Sequence, residues 1–146
     1  MISLSDSTVP AQWRDWLSDT GSLTQRLVDA CQGDFSVQIL RQELHRPRLS
    51  ERRALGLPAR RLALIREVVL LGAGVPWVYA RSVIPLTTLT GRLRSLAHLD
   101  NRPLGALLFS DPSMRREPVE IACHTGSNSQ MPMALGDFQD PMWGRR

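Results

Sequence analysis

Two neighbouring apolar segments, each with an arginine inside it, constrain the fold of this chain most. The stretch LIREVVLLGAGVPWVYARSVIP, residues 64–85, alternates with a period of two on both sides of a glycine-rich centre. This pattern predicts strands over 61–71 and 76–84 joined by a tight turn. Arg66 and Arg81 stand where the alternation expects a buried apolar side chain. Because a guanidinium cannot lose its charge, burying it without a partner is costly, and the sequence predicts a specific partner, first of all an anion, for each arginine.

Outside this hairpin, the periodicity predicts helices and strands in a mixed order. Helical spacing occurs in VPAQWRDWLSD, SLTQRLVDAC, TTLTGRLRSLAHL and RPLGALLFS, the last with Pro103 in its first turn. Alternation predicts strands in DFSVQILRQE, REPVEIACH and the terminal MWGRR, and the polar stretch TGSNSQMPMALGDFQDP is expected to be a loop. Neighbouring strands without βαβ alternation favour an α+β fold, here as a single domain over residues 1–146.

Length and composition exclude several classes of protein. With 146 residues, 42% of them hydrophobic, the chain is long enough for one domain with a core. It has no apolar run of about 18 residues, and its start lacks the basic-then-apolar pattern of a signal peptide. Cys31 and Cys123 are therefore expected to be reduced thiols of a cytoplasmic protein. The three histidines lack ligand spacing, so no metal site is expected.

The positive charge is carried by arginine alone. All 18 basic residues are arginines, and eight of them fall within 41–66, most densely in HRPRLSERRALGLPARR. This segment, expected to be a loop, permits two interpretations: an arm that binds nucleic-acid phosphates, or a solvated loop with some arginines paired to Glu43 and Glu51. The second is favoured, because no recognition helix or aromatic stacking platform accompanies the charge.

Few catalytic motifs are present. The chain has no G-x-S-x-G elbow, and GAGVP lacks both the lysine of a phosphate-binding loop and the spacing of a dinucleotide fingerprint. What remains is a pair of inward-facing arginines among apolar residues, and a guanidinium presents a planar donor fork that suits carboxylates. The residues alone leave two readings open. The arginines either bind a small, flat acid in an apolar pocket, or bond a buried Asp or backbone carbonyls for structure only.

The order of several short motifs resembles the chorismate pyruvate-lyase family. The motifs SLTQRL, LIREVVL, PWVYARSVIP, LTG, RPLGALLF and WGRR follow one another as in that family, and the resemblance covers residues 12–146. It implies an antiparallel sheet flanked by helices, two of which form flaps over a buried ligand. It also implies a monomer that eliminates pyruvate from chorismate to give 4-hydroxybenzoate for ubiquinone synthesis, without cofactor, metal or specific nucleic acid.

The resemblance assigns roles to four residues. Arg66 in LIREVV matches the arginine that clamps a ligand carboxylate, and Leu104 in RPLGALLF matches the contact in the second flap, where a backbone N–H can donate to the ligand. Leu23 in SLTQRL stands where the family has a methionine contact in the first flap. Arg81 in YARSVIP also matches a family arginine and is expected to support the site or, by preference, the core.

The resemblance breaks off at the end of the chain. Family members continue beyond WGRR to a last strand with a glutamate that assists departure of the enolpyruvyl group, whereas this sequence ends at Arg146. No catalytic residue is therefore expected within residues 1–146. Because no strand follows it, the terminal MWGRR strand is expected to leave an unfinished sheet edge, as in a chain whose C-terminal end is incomplete. The alternative function is a non-catalytic binding or sensor domain for a small aromatic acid, since a related fold senses ligands in transcription regulators.

Overall fold

The computed structural model describes residues 8–124 and 140–146. In chain order the helices are α1 (Ala11–Ser18), α2 (Leu23–Ala30), α3 (Leu49–Leu55) and α4 (Leu104–Ser110). The strands are β1 (Phe35–His45), β2 (Ala63–Gly72), β3 (Val75–Pro85), β4 (Ile121–His124) and β5 (Met142–Arg145). The α+β prediction is confirmed. The loop predicted over 125–141 lies almost entirely outside the described residues.

The described residues form two compact units. One contains Thr24–Leu107, with the sheet β1-β2-β3, and the other contains α1, β4 and β5. No helix within the described ranges is long and apolar enough to cross a membrane.

The predicted hairpin is the centre of the first unit. β2 pairs antiparallel with β1 on one side and with β3 on the other, and most of its residues are buried. The turn uses Ala73 and Gly74, both at positive φ (+50° and +78°). Gly72 is required for another reason, since a Cβ there would lie 2.6 Å from the ring of Trp77. The aromatic ring therefore packs directly on the backbone of the neighbouring strand.

The register places the two arginines on opposite faces of this sheet. Arg66 is opposite Gln42 on β1 and Ser82 on β3, whereas Arg81 is opposite Glu67. Because successive residues of a strand point to opposite faces, Arg66 and Glu67 point apart. Any partner of Arg66 must therefore come from a different layer than the partners of Arg81.

An apolar cluster covers the Arg66 face. It consists of Leu64, Ile84, Leu96 and Leu99, with Leu104 and Leu107 of α4 packed against it. The helical spacing predicted before α4 is realised as 3₁₀ helix over Leu86–Thr88 and Gly91–His98 rather than as α-helix. Leu96 and Leu99 of this region contribute buried side chains to the cluster.

The prediction that the arginine-rich segment is a loop is wrong, because Leu49–Leu55 forms α3. The backbone N–H of Arg48 donates to Glu51 Oε2 at 2.7 Å, which satisfies a donor at the start of the helix. At the other end Gly56 adopts the left-handed conformation (φ +63°) that commonly ends helices. The structure describes every residue of α3 and buries none of them. The helix is held by its ends and by Glu51 rather than by an apolar face.

The terminal strand pairs with a strand that precedes it in the chain. β5 pairs antiparallel with β4, with Ile121 opposite Arg145 and His124 opposite Met142. Arg145 Nη1 donates to the carbonyl oxygens of Trp16 (3.1 Å) and Asp19 (2.5 Å), next to the end of α1. The partner of β5 thus precedes it in the chain, whereas the expectation looked only for a strand that follows.

Candidate functional site

Arg66 is the most deeply buried charged residue among those that the structure describes. Only 2% of its surface is exposed. Leu64, two positions earlier on the same face of β2, belongs to the apolar cluster. An arginine in such surroundings has lost most of its hydration, and the loss must be offset by contacts within the protein or with a ligand.

The contacts of Arg66 within the described residues are all with neutral oxygens. Nη1 donates to Gln42 Oε1 at 2.6 Å and to the carbonyl oxygen of Asp100 at 2.8 Å, and Nη2 donates to the carbonyl oxygen of Arg102 at 2.8 Å. These bonds use three of the five N–H groups of the guanidinium. Two donors thus have no partner within residues 8–124 and 140–146, and the charge is hydrogen-bonded but not neutralised.

The partners of Arg66 are themselves held in place. Gln42 Nε2 donates to the carbonyl oxygen of Ala97 at 3.0 Å, so this side chain bridges β1 and the 3₁₀ segment. Asp100 has a positive φ of +50°. The Arg102 side chain donates back to the carbonyl oxygens of Leu99 (3.1 Å) and His98 (2.8 Å). The segment before α4 is therefore a closed turn whose backbone oxygens face Arg66.

Burial has an electrostatic consequence at Arg66. Desolvation lowers the pKa of the guanidinium, and the charge of Asp100 opposes that shift only in part. Arginine nevertheless stays protonated at neutral pH. An incoming carboxylate would find a cation that is poorly compensated and surrounded by apolar side chains, where its attraction is strong.

Arg81 lies on the other face with two carboxylates. Its Nε and Nη2 donate to Glu51 Oε1 (2.6 Å) and Oε2 (3.1 Å), and Nη1 donates to Glu67 Oε1 (2.6 Å). Tyr79 Oη donates to the same Glu67 oxygen at 2.9 Å. The side chain of Arg81 is only 10% exposed. Arg81 thus ties α3 to the sheet through a partly buried ion-pair network.

The pKa values in this network favour charged carboxylates, a charged Arg81 and a neutral Tyr79 hydroxyl. Burial raises the pKa of Glu51 and of Glu67, but the hydrogen bonds and positive charges around them, first of all those of Arg81, together outweigh it and leave both pKa values below the usual 4.5. Hydrogen bonding to Glu51 is the main cause of the raised pKa of Arg81, with Glu67 adding to it. Burial, and then the hydrogen bond to Glu67, raises the pKa of Tyr79 to about 12.

The two other residues singled out from the sequence are the first residues of helices. Leu104 begins α4 and packs against the apolar cluster on the Arg66 face. Leu23 begins α2 and is half-buried. The next residue, Thr24, is in the same unit as Gly105, and its Oγ1 lies 3.2 Å from where a Cβ on Gly105 would be. The first turns of α2 and α4 therefore approach closely at Thr24 and Gly105.

Sequence reasoning missed Gln42 and the carbonyl groups of Asp100 and Arg102. One of the two interpretations left open by the sequence, that backbone carbonyls bond a buried arginine, describes Arg66. The expected anions are found at Arg81, which bonds two carboxylates. The expected pairing of Glu51 with an arginine of its own segment is wrong, since Glu51 bonds Arg81. Glu43 does pair with Arg41. A search for amide side chains opposite Arg66 in the strand pairing would have found Gln42.

Known proteins similar to this chain agree on one family. The family model of chorismate lyases matches residues 4–146. The chain is 47% identical over 122 residues to a protein of Marinobacter nauticus, covering 83% of this chain and 65% of the relative. It is 41% identical to a protein of Aromatoleum aromaticum (94% and 77% covered) and 42% identical to one of Methylococcus capsulatus (90% and 82% covered). All three are named probable chorismate pyruvate-lyase, and the chain matches about two thirds to four fifths of their length. The resemblance inferred from the motifs is confirmed, and the chain belongs to the chorismate lyase family.

Proposed function

We propose that this chain acts as a chorismate pyruvate-lyase, which converts chorismate into 4-hydroxybenzoate and pyruvate. Family membership supports the reaction class. The observation that carries the assignment to a site is Arg66, a buried cation bonded only by neutral oxygens among the described residues. Both chorismate and 4-hydroxybenzoate bear a carboxylate on the ring, and the two remaining N–H donors of Arg66 are the proposed contacts for it.

The apolar surroundings of Arg66 suit this substrate. A flat ring can pack against the leucines of the cluster while its carboxylate meets the guanidinium, and exclusion of water strengthens that charge-assisted bond. We propose that Leu104 and Leu23 contact the ligand from the first turns of α4 and α2. Arg81, whose donors face Glu51 and Glu67, is proposed to support the fold around the site.

The reaction requires little chemistry from the protein. Loss of the enolpyruvyl group and of one ring proton makes the ring aromatic, so the elimination is downhill and needs no cofactor. The protein has to hold the reactive ring conformer and stabilise the carboxylates, and an acid assists at the leaving oxygen. Glu43, Glu51 and Glu67 already bond arginines, and we propose that none of these three is that acid.

The occupied state of these three carboxylates also favours a second candidate. A domain that binds 4-hydroxybenzoate without turning over chorismate needs Arg66 but no acid. For either function, the resemblance leads us to expect a monomeric cytoplasmic protein that binds a small aromatic acid.

Two measurements on the same sample separate these functions. Calorimetry with 4-hydroxybenzoate measures binding, and chromatographic detection of 4-hydroxybenzoate formed from chorismate measures turnover. Binding with turnover supports the lyase, and binding without turnover supports the second candidate. Absence of both contradicts the site. Arg66→Met should abolish whichever of the two, binding or turnover, is observed. Arg53→Met, a matched change at an exposed arginine, should leave it unchanged.

A further inference from the structure

The segment from Leu44 to Leu62 exposes leucines beside arginines. More than half of the surface of Leu44 and of Leu49 is exposed (52% and 53%), and Leu55 (44%) and Leu62 (40%) are exposed as well. We call this segment the Leu–Arg surface. Single exposed leucines are common, but here four of them lie within 19 residues, around a helix that buries none of its residues. The packing of the unit does not account for this concentration of exposed leucines.

Most arginines of the Leu–Arg surface carry charge that no carboxylate among the described residues neutralises. Within the part of the chain that the structure describes, the side chains of five of them form no ion pair. These are Arg46, Arg52, Arg53, Arg60 and Arg61. The one acidic residue between Leu44 and Leu62 is Glu51, and its carboxylate is bonded to Arg81. The surface is therefore cationic and partly apolar at once.

The orientation of α3 places both properties on its outer side. Glu51 points towards the sheet, where it bonds Arg81. At about 100° per residue, Leu49 lies roughly 160° around the helix from Glu51, between Arg52 and Arg53. The ion pair with Arg81 thus holds α3 so that a leucine flanked by two arginines faces outward.

We propose that the Leu–Arg surface docks on an anionic lipid bilayer through the outer side of α3, with Arg52 and Arg53 on lipid phosphates and Leu49 at the boundary between headgroups and acyl chains. Clusters of four to eight basic residues on or beside a helix are typical of binding to acidic lipids, and apolar side chains between them add burial in the interface. Nucleic acid fits the charge but not the leucines. Bases stack on aromatic rings, and residues 44–62 contain no Phe, Tyr or Trp.

Vesicle binding tests this docking. The full chain is sedimented with vesicles of phosphatidylglycerol and phosphatidylcholine, or of phosphatidylcholine alone, at about 50 and 200 mM salt. We expect binding to the anionic vesicles that weakens at the higher salt, and little binding to the neutral ones. Equal binding to both vesicle types, or none to either, overturns the proposal. Inorganic phosphate added as a competitor should have little effect if the bilayer, rather than free phosphate, is the ligand.

Variants locate the contact. Arg52→Gln with Arg53→Gln should weaken binding to anionic vesicles by roughly 10- to 30-fold, at about 1 kcal/mol for each charge near the surface. The matched control, Arg94→Gln with Arg115→Gln, removes two exposed arginines elsewhere and should leave most of the binding. If both double variants lose the same amount of vesicle binding, the assignment of the contact to α3 is overturned.

A leucine variant separates lipid from nucleic acid. Leu49→Ser should weaken vesicle binding about three- to tenfold, whereas Leu86→Ser, at a leucine that is 37% exposed outside the surface, should not. Duplex DNA and single-stranded RNA are titrated in parallel. Tighter binding to either than to vesicles, unchanged by Leu49→Ser, identifies the surface as a nucleic-acid site and overturns the lipid proposal. Binding of 4-hydroxybenzoate, measured on the same variants, should be unchanged.

Discussion

Arg66 and Arg81 lie on adjacent strands of one sheet and have opposite surroundings. Arg81 forms ion pairs with two carboxylates, which neutralise its charge. Arg66 is more deeply buried and meets an amide oxygen and two backbone carbonyls. Each guanidinium donates three hydrogen bonds within the described residues, but only Arg81 has its charge neutralised there. Hydrogen bonding and neutralisation of charge are thus separate, and the second distinguishes an arginine that supports the fold from one available to an anionic ligand.

The largest effect is expected from removing the neutralised arginine. Arg81→Met leaves the partly buried carboxylates of Glu51 and Glu67 without their cation, and should lower the free energy of unfolding by about 3 kcal/mol or more. Urea unfolding measures this. Adding Glu51→Gln and Glu67→Gln to Arg81→Met should restore part of the loss, because no unpaired charge then remains. A single variant as stable as the natural chain contradicts the assigned role of the network.

The next effect concerns ligand affinity. Arg66→Met should weaken binding of 4-hydroxybenzoate by about 2–4 kcal/mol, or roughly 30- to 900-fold, since a desolvated charge-assisted bond is lost. Its free energy of unfolding should change less than that of Arg81→Met. Removal of a desolvated charge offsets part of the cost of leaving three oxygens without a donor. Calorimetry and urea unfolding of both variants check this contrast. If both arginines affect stability and affinity alike, the difference between them has no functional meaning.

The hairpin and the inward positions of both arginines could be predicted because they depend on a local period of two. The partners of the arginines could not. Gln42, Asp100 and Arg102 are separated from Arg66 by 24, 34 and 36 positions, and no local pattern links such distant groups. The resemblance to a family indicated a role for Arg66 but gave no information about these oxygens.

Other misses have their own physical reasons. Helix α3 has no buried face, so it lacks the apolar periodicity by which helices are recognised, although Glu51 near its start and Gly56 after its end are signals that could have found it. The pairing of β5 with β4 spans the 17 residues between them, and chain order does not determine which strands pair.

A fall in pH should act on the Arg81 network and spare Arg66. The pKa values of Glu51 and Glu67 are lowered in the folded protein, so their contribution to stability is present above their ordinary value of 4.5. It is lost as the pH falls through the folded pKa values below it. Melting temperatures between about pH 3 and 7 should therefore fall less steeply in the variant with Glu51→Gln, Glu67→Gln and Arg81→Met. Parallel curves for the two proteins contradict the network as the source of acid sensitivity.

The smallest effect at neutral pH is expected from Tyr79, whose hydroxyl donates to Glu67 at the edge of the same network. Tyr79→Phe removes one hydrogen bond and should lower the free energy of unfolding by about 1 kcal/mol.

In alkali, the ionisation of Tyr79 reports directly on its surroundings, because the chain contains one tyrosine and phenolate absorbance belongs to that side chain alone. Burial and Glu67 raise its pKa to about 12 from the ordinary 10.0, so the contribution of Tyr79 to stability is present below pH 10.0 and is lost as the pH rises towards 12. Spectroscopic titration should give the high value in the folded protein and a value near 10.0 in urea, and Glu67→Gln should lower the folded value. A folded value near 10.0 in the natural chain would mean that Tyr79 does not share the charged carboxylate with Arg81, and the difference between the two faces of the sheet would be smaller than the geometry indicates.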